Sequence, residues 1–338
     1  MVSKDFISDR IRRCISLMVA AIIPNSNQLK IKVRCLRQLY KLFDSKKSTE
    51  NRVILYYADG TPDCPGLADR LKAMVTGYTI ARKNNYNYYI FHHLGFKIED
   101  YLIPNEINWL IEKKDICLGL NHLRFLWFTT RIEKLDPRYS EYHLHFAQDS
   151  TESLTEEDQE EYNFSKLFHQ LFKPTDYLKG QIEKTRNSLQ IDENGYIAVH
   201  VRFLDFFETV ESKRDTAFTK HASAEEQAEM IQSIQLTLQK LHTESGGLPI
   251  LLLSDSNTFL NTEHAPYIHT IPGEVGHIYS KEGNKEITDR AFIDMFLISE
   301  AKQVYNIVGP GTYASGYSYM GARIGRKAFS RVNRLIPM

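Results

Sequence analysis

The chain is poor in the features that would mark a membrane, disulfide-stapled or nucleic-acid-binding protein. Its four cysteines, Cys14, Cys35, Cys64 and Cys117, are scattered, with no C-x-x-C and no histidine at zinc-ligand spacing. That pattern excludes a disulfide scaffold and predicts reduced structural thiols in a cytoplasmic protein. No apolar run reaches the ~20 residues of a membrane span. The longest near the start, Cys14–Ile23, is about half that length and lacks a small-residue cleavage site, so it reads as neither span nor signal peptide. Charge of one sign is not in excess: 42 Lys plus Arg balance 42 Asp plus Glu, which argues against a general nucleic-acid binder. No G-x-x-x-x-G-K-[ST] occurs, and no G-x-G-x-x-G follows a strand. A D-x-D is also missing, and with it the carboxylate pair that commonly holds a divalent ion on a nucleotide sugar.

What is present suffices for two cores, since 338 residues with 42% hydrophobic content favour two domains. Residues 1–50 stand apart as a basic amphipathic helical segment. Arg10, Arg12 and Arg13 precede an apolar run, Pro24 breaks it, and Lys30, Lys32, Arg34, Arg37 and Lys41 then interleave with Ile31, Val33, Leu36, Leu39 and Tyr40. Two readings stay open: helices lying on an anionic membrane surface at about 1 kcal/mol per cation, or a hairpin packed on the body with a solvated basic face.

Residues 51–172 form the first expected domain. Arg52–Tyr57 reads as a strand, Gly66–Lys83 as a glycine-led helix and Tyr86–Phe91 as the next strand, a βαβ unit. Gly66 and Asp69 open that helix, where a ligand could sit on free N–H groups, although capping alone also explains them. His143 and His145 alternate like strand ligands, but with no third ligand near them a core or surface role is expected. The acidic stretch Ser150–Glu161 is expected to be an exposed helix start or loop.

Residues 173–338 alternate helices and strands, which predicts a doubly wound parallel sheet. Pro174 should lie in the first turn of the helix that feeds the strand Ile197–Val201. Strands are expected also at Leu248–Leu253, His269–Ile271 and Val304–Val308, with helices at Ala224–His242, Arg290–Ala301 and Tyr319–Ile324. The strand Ile197–Val201 is apolar yet carries His200 and runs into Arg202, Asp205 and Glu208. Charged groups rarely bury unpaired, so its end should open onto a site; an Arg202–Asp205 ion pair that only caps the strand is the alternative. A second strand ends at Ser254, Asp255 and Ser256. A third enters a loop with Gly309, Gly311, Thr312, Ser315 and Ser318 before a helix. Glycine N–H groups, a helix N-terminus, hydroxyls and Arg202 together suit a pyrophosphate. Asp255 could take a guanine edge, a ribose hydroxyl or a proton.

In this order, His200-x-Arg202-x-x-Asp205, Ser254–Ser256, Asp294–Ser299 and Gly309–Ser318 resemble the motifs of the GDP-fucose-dependent fucosyltransferase superfamily. Gly66-x-x-Asp69 resembles its N-terminal glycine motif. Phe203 stands where many members carry a second Arg, and Ser256 where Asp is frequent. Ile23–Asn25 and the basic segment also resemble bacterial surface-polysaccharide glycosyltransferases. The resemblance implies a GT-B fold, two Rossmann-like domains facing across a cleft with the acceptor side first and the donor side second. It implies inverting, metal-independent transfer of fucose from GDP-fucose to a glycan hydroxyl, with no bound cofactor. Arg202 is expected on the diphosphate and His200 on the donor, with Thr312, Ser315 and Ser318 competing for the phosphate. Glu208 is preferred as general base over Asp205 and Glu211, Asp205 being left to orient Arg202.

Overall fold

The computed structural model describes residues 36, 39–43, 53–59, 66–129, 134–136, 139, 141–147, 149–208, 222–276, 278 and 284–336. Readings on the rest of residues 1–50, and on Glu211, lie outside the described residues. The chain divides into two units: one of residues 1–65, 69–98 and 104–172, the other of 66–68, 99–103 and 173–338. The main division falls between residues 172 and 173, and two short earlier segments also belong to the second unit.

The first unit begins with β1 (Val53–Ala58), all six residues buried. Helix α1 (Leu67–Asn84) follows, then β2 (Asn87–His92), β4 (Leu123–Thr129) and β5 (Glu141–Ala147); short β3 (Leu102–Pro104), which comes between β2 and β4 in the chain, lies mostly in the second unit and pairs with β6 (Phe172–Pro174). Helix α1 buries Leu71, Met74, Val75, Tyr78, Ile80 and Ala81 at helical spacing. Asp69 in its first turn and Arg82 and Lys83 in its last suit the helix dipole. Gly77 lets the helix lie close on the sheet, because a Cβ there would fall 2.8 Å from the Tyr88 ring. The strands pair in the order β2-β1-β5-β4, every pair parallel. Sequence reasoning missed β5. The acidic stretch is a short helical turn at Ser150–Ser153 followed by α2 (Glu156–Glu161), capped by Thr155, and α3 (Phe164–Leu171) comes next.

In the second unit, Pro174 ends strand β6 (Phe172–Pro174) rather than opening a helix. The next helix, α4 (Asp176–Leu189), starts one residue later, because Thr175 supplies the cap by accepting from the Leu178 N–H. Central strand β7 (Ile197–Val201) leads to α5 (Ala224–Glu244), which opens on a capping box of Ser223 and Glu226. Then come β8 (Ile250–Ser254), α6 (Asn257–Leu260), β9 (Ile268–Thr270), α7 (Lys285–Glu300), β10 (Gln303–Val308), α8 (Gly316–Gly325) and β11 (Ala328–Asn333). Helices α7 and α8 each begin earlier than the sequence suggested, because Asn284 and Ser315 cap them. Tyr101 ties its segment to this unit by stacking on Phe292 at 4.3 Å and donating to Asp289 at 2.7 Å.

The five strands run parallel in the order β11-β10-β7-β8-β9. From β7 the chain winds one way to β8 and β9, then returns to place β10 and β11 on the other side. The order therefore switches between β7 and β10. In open α/β sheets the crevice at the carboxyl ends of two such strands is where ligands bind. A core of Val199, Val201, Phe203, Ile234, Leu252, Phe259 and Ile307 supports it from below. Each such side chain, fully buried, contributes roughly 1.5–3 kcal/mol. No helix among the described residues is long and apolar enough to cross a membrane.

Candidate functional site

The switch point gathers the residues that follow β7, β8 and β10. Arg202 leaves β7 with its side chain about one-third exposed, its Nε 3.7 Å from Asp255 Oδ2. Its backbone carbonyl accepts the Tyr313 N–H at 2.8 Å, which stitches the loop after β10 to the end of β7. Asp255 thus stands beside Arg202, and Asp205, three residues on from Arg202, is buried.

Asp255 also serves the backbone. Oδ1 accepts the Phe203 N–H at 2.8 Å and Oδ2 the Leu204 N–H at 3.0 Å. Leu204 sits at φ +55°, a conformation that costs a branched residue energy unless its surroundings enforce it. Burial lifts the Asp255 carboxyl to about 6 despite those bonds and the nearby guanidinium.

The loop after β10 needs its glycines. Gly309 and Gly311 lie at φ +148° and +80°. A Cβ on Gly311 would come within 2.6 Å of Met230 Cε and 3.1 Å of the Phe206 ring. Thr312 donates to the Gly309 carbonyl through both its N–H at 3.0 Å and its hydroxyl at 3.2 Å. Ser315 Oγ caps α8 by accepting the Tyr317 N–H at 3.1 Å. Thr312 and Ser315, two of the three hydroxyls expected to compete for a phosphate, therefore hold the loop in shape. Ser318 differs: fully buried, its Oγ has no hydrogen-bond partner.

His200 is buried and its Nδ1 likewise has no partner. Burial, and then the charge of Arg202, press its pKa down to about 3, so the ring is neutral. Two buried polar atoms, one at the end of β7 and one in the first turn of α8, are thus left without a hydrogen-bond partner.

Sequence reasoning missed the residue that builds this corner. Asn306, fully buried on β10, donates to the His200 carbonyl at 3.0 Å and accepts the Ser315 N–H at 2.9 Å. One side chain thus joins both sides of the switch point. A lone polar residue inside Gln303–Val308 was the available signal.

Glu208, expected as the base, has both carboxylate oxygens in hydrogen bonds. Its Oε2 accepts from Ser256 Oγ at 2.7 Å and its Oε1 from the Thr258 N–H at 3.1 Å. Both oxygens thereby fasten the β7 loop to the start of α6. Gly66 precedes α1 and clusters with the second unit. Asp69 belongs to the first unit, exposed and paired with Lys72 at 2.5 Å. Beside it Arg70 is buried, donating to His92 Nε2 at 3.1 Å and to the Leu94 carbonyl at 3.0 Å. Asp294, in the third motif, accepts from Arg290 Nε at 2.6 Å, and Arg290 Nη1 reaches the Ile271 carbonyl at 2.8 Å. Among the described residues no group of three or more His, Cys, Asp or Glu is arranged to hold a metal ion.

The site is thus a guanidinium and a helix N-terminus at the switch point of an open parallel α/β sheet. No family model and no curated protein matches the chain. Solved structures do. Fucosyltransferase NodZ from Bradyrhizobium aligns with TM-score 0.52 at 13% identity, over 81% of this chain and 92% of that one. A mutant of Arabidopsis thaliana FUT1 in complex with GDP aligns with TM-score 0.52 at 14% identity, over 99% of this chain and 80% of that one. The chain has the α/β, GT-B fold of these fucosyltransferases.

Proposed function

We propose that the protein is an inverting glycosyltransferase that moves fucose from GDP-fucose to a glycan hydroxyl without a metal ion. The observation that carries this reading is Arg202 at the β7–β10 switch point, with the open Nδ1 of His200 and the open hydroxyl of Ser318 nearby in the fold. The shared fold with NodZ and FUT1 supports it.

Breaking the bond between fucose and diphosphate leaves charge on the leaving oxygens, and stabilising that charge is the larger part of the work. Arg202 supplies a fixed cation, and α8 supplies the positive end of its dipole. Ser318 Oγ donates to a phosphate oxygen and neutral His200 adds one further bond to the donor. Each bond to a charged oxygen contributes roughly 1.5–3 kcal/mol. Charge relief of this kind makes the reaction metal-independent. The acceptor hydroxyl must lose a proton, and the carboxyls we assign to that step are Asp255, with its raised pKa, and Glu208. We assign the acceptor to the surface polysaccharides, and the location to the cytoplasm, peripheral at an anionic membrane face.

The test is a donor panel: purified protein with GDP-fucose, GDP-mannose, UDP- and dTDP-sugars, scored by thermal shift and by mass spectrometry of the product. Transfer of a deoxyhexose from GDP-fucose alone is expected. Transfer from a different nucleotide sugar would move the donor assignment, and binding without transfer or donor hydrolysis would make the protein a nucleotide- or glycan-binding relative.

A further inference from the structure

Arg334 directly follows β11 and reaches back to the loop after β10. Its N–H donates to the Val308 carbonyl at 3.0 Å, one residue beyond the last β10–β11 pair. Its Nε donates to the Pro310 carbonyl at 3.1 Å and its Nη1 to Ser233 Oγ on α5 at 2.9 Å. The next residue completes the fastening. The Leu335 N–H donates to Thr237 Oγ1 at 2.8 Å, and Ser233 Oγ donates to the Leu335 carbonyl. One half-buried guanidinium thus joins the glycine loop to α5.

The bond to Pro310 falls on the one peptide whose direction the local sequence leaves open. Gly309–Thr312 is a β-turn, closed by the Thr312 N–H on the Gly309 carbonyl at 3.0 Å, with Pro310 and Gly311 at its centre. Gly311 at φ +80° makes it a type II turn. A type I turn keeps the same ends and differs by turning over the peptide between the two central residues. Proline at the first central position fits both types, and glycine at the second accepts φ of either sign. These four residues therefore leave two orientations of the Pro310–Gly311 peptide within reach, and the Arg334 bond selects one.

That choice decides where the Gly311 N–H points. The peptide is trans, so its C=O and N–H point in opposite directions. Holding the carbonyl toward Arg334 aims the N–H away from it. Strand β10 lies between β7 and β11, so Arg202 and Arg334 flank the loop from opposite sides, their backbones about 10 Å apart at two strand spacings. Several N–H groups nearby are already used: Thr312 bonds the Gly309 carbonyl, Tyr313 the Arg202 carbonyl and Ser315 the Asn306 side chain. The Gly311 N–H has no hydrogen-bond partner among the described residues.

We infer that Arg334 is a positioning residue for the donor site: by holding the Pro310 carbonyl it turns the Gly311 N–H toward the diphosphate that Arg202 faces. The inference rests on the donor reading proposed above. Arg334 acts here through the direction of its Nε–H and not through its charge, so the chemistry of its substitutes separates the two roles. Glutamine places an N–H donor at the same position along the side chain as arginine Nε, without the charge. Lysine keeps the charge but has a carbon there.

The experiment is calorimetric titration of the full chain with GDP, paired with NMR of the Gly311 amide. Arg334→Ala should weaken GDP binding about tenfold, the equivalent of one hydrogen bond. Arg334→Gln should recover most of that loss and Arg334→Lys little of it. On adding GDP the Gly311 amide proton should move downfield in the parent and in Arg334→Gln, and stay in place in Arg334→Ala. Recovery by lysine but not by glutamine would make Arg334 a cation on the phosphates and overturn the inference. So would parental GDP affinity in a less stable Arg334→Ala protein, which would leave Arg334 a fastener of the chain alone. A parent that binds GDP with an unmoved Gly311 amide would overturn this inference and spare the donor reading; a parent that does not bind GDP would overturn both.

Discussion

Asp255 holds Leu204 in a left-handed conformation: its Oδ2 accepts the Leu204 N–H at 3.0 Å while φ at that residue stands at +55°. One carboxyl thus fixes the turn after β7, flanks Arg202 and carries a raised pKa. The folded state binds a proton there more tightly than the unfolded chain does, with values of about 6 against 3.8. The stability this proton contributes is present below the ordinary carboxylate range and is lost as pH rises through about 6. At roughly 1.36 kcal/mol per unit the loss is at most about 3 kcal/mol. Asp255→Asn cannot titrate, so denaturant unfolding should show the parent losing stability relative to this variant between about pH 4 and 7.5. Parallel curves would remove Asp255 as the titrating group.

Arg202→Ala should weaken GDP binding by roughly 10- to 150-fold, the loss of one charge-assisted bond. Calorimetry with GDP measures it. Arg202→Lys should recover only part, since a point charge cannot present two parallel N–H groups to phosphate oxygens. Unchanged GDP affinity in the alanine variant would take the diphosphate away from this crevice.

Asn306→Leu matches the side chain in size but leaves the His200 carbonyl and the Ser315 N–H without the partner Asn306 supplies. Each such buried group costs roughly 1–3 kcal/mol, so a total near 2–5 kcal/mol is expected in urea unfolding. Because the loss lies at the corner that shapes the α8 entrance, GDP affinity should fall as well.

Glu208→Gln separates an anchor from a base. Loss of a general base costs roughly 10²- to 10⁴-fold in turnover. Glu208 also bonds Ser256 and Thr258. With Asp255 present to take the proton, the variant should lower the melting temperature and raise KM while kcat falls less than tenfold, below the range for a lost base. A kcat loss of three decades at unchanged stability would make Glu208 the sole base.

The central strands of both units were legible in the amino-acid order. Val53–Ala58, Ile197–Val201 and Ile250–Ser254 are continuous apolar runs that only a sheet covered on both faces buries. The polar residues at their ends pointed to the site for the same reason, since a buried strand does not run into Arg202 and Asp255 without a use for them. Glycines 309 and 311 were legible because no other residue accepts their backbone angles. That Asp255 stands beside Arg202 was not. Asp255 is fifty-three residues from Arg202 along the chain, yet β7 and β8 pair in register and bring it to 3.7 Å. Nor could spacing show that Ser315 caps a helix and Glu208 bonds Ser256 and Thr258 while Ser318 Oγ and His200 Nδ1 remain open, or that Tyr40 joins a histidine pair more than a hundred residues on. Local sequence determines which stretches bury and where the chain turns. Partnership between buried polar groups depends on strand order and register, which the whole sheet decides together.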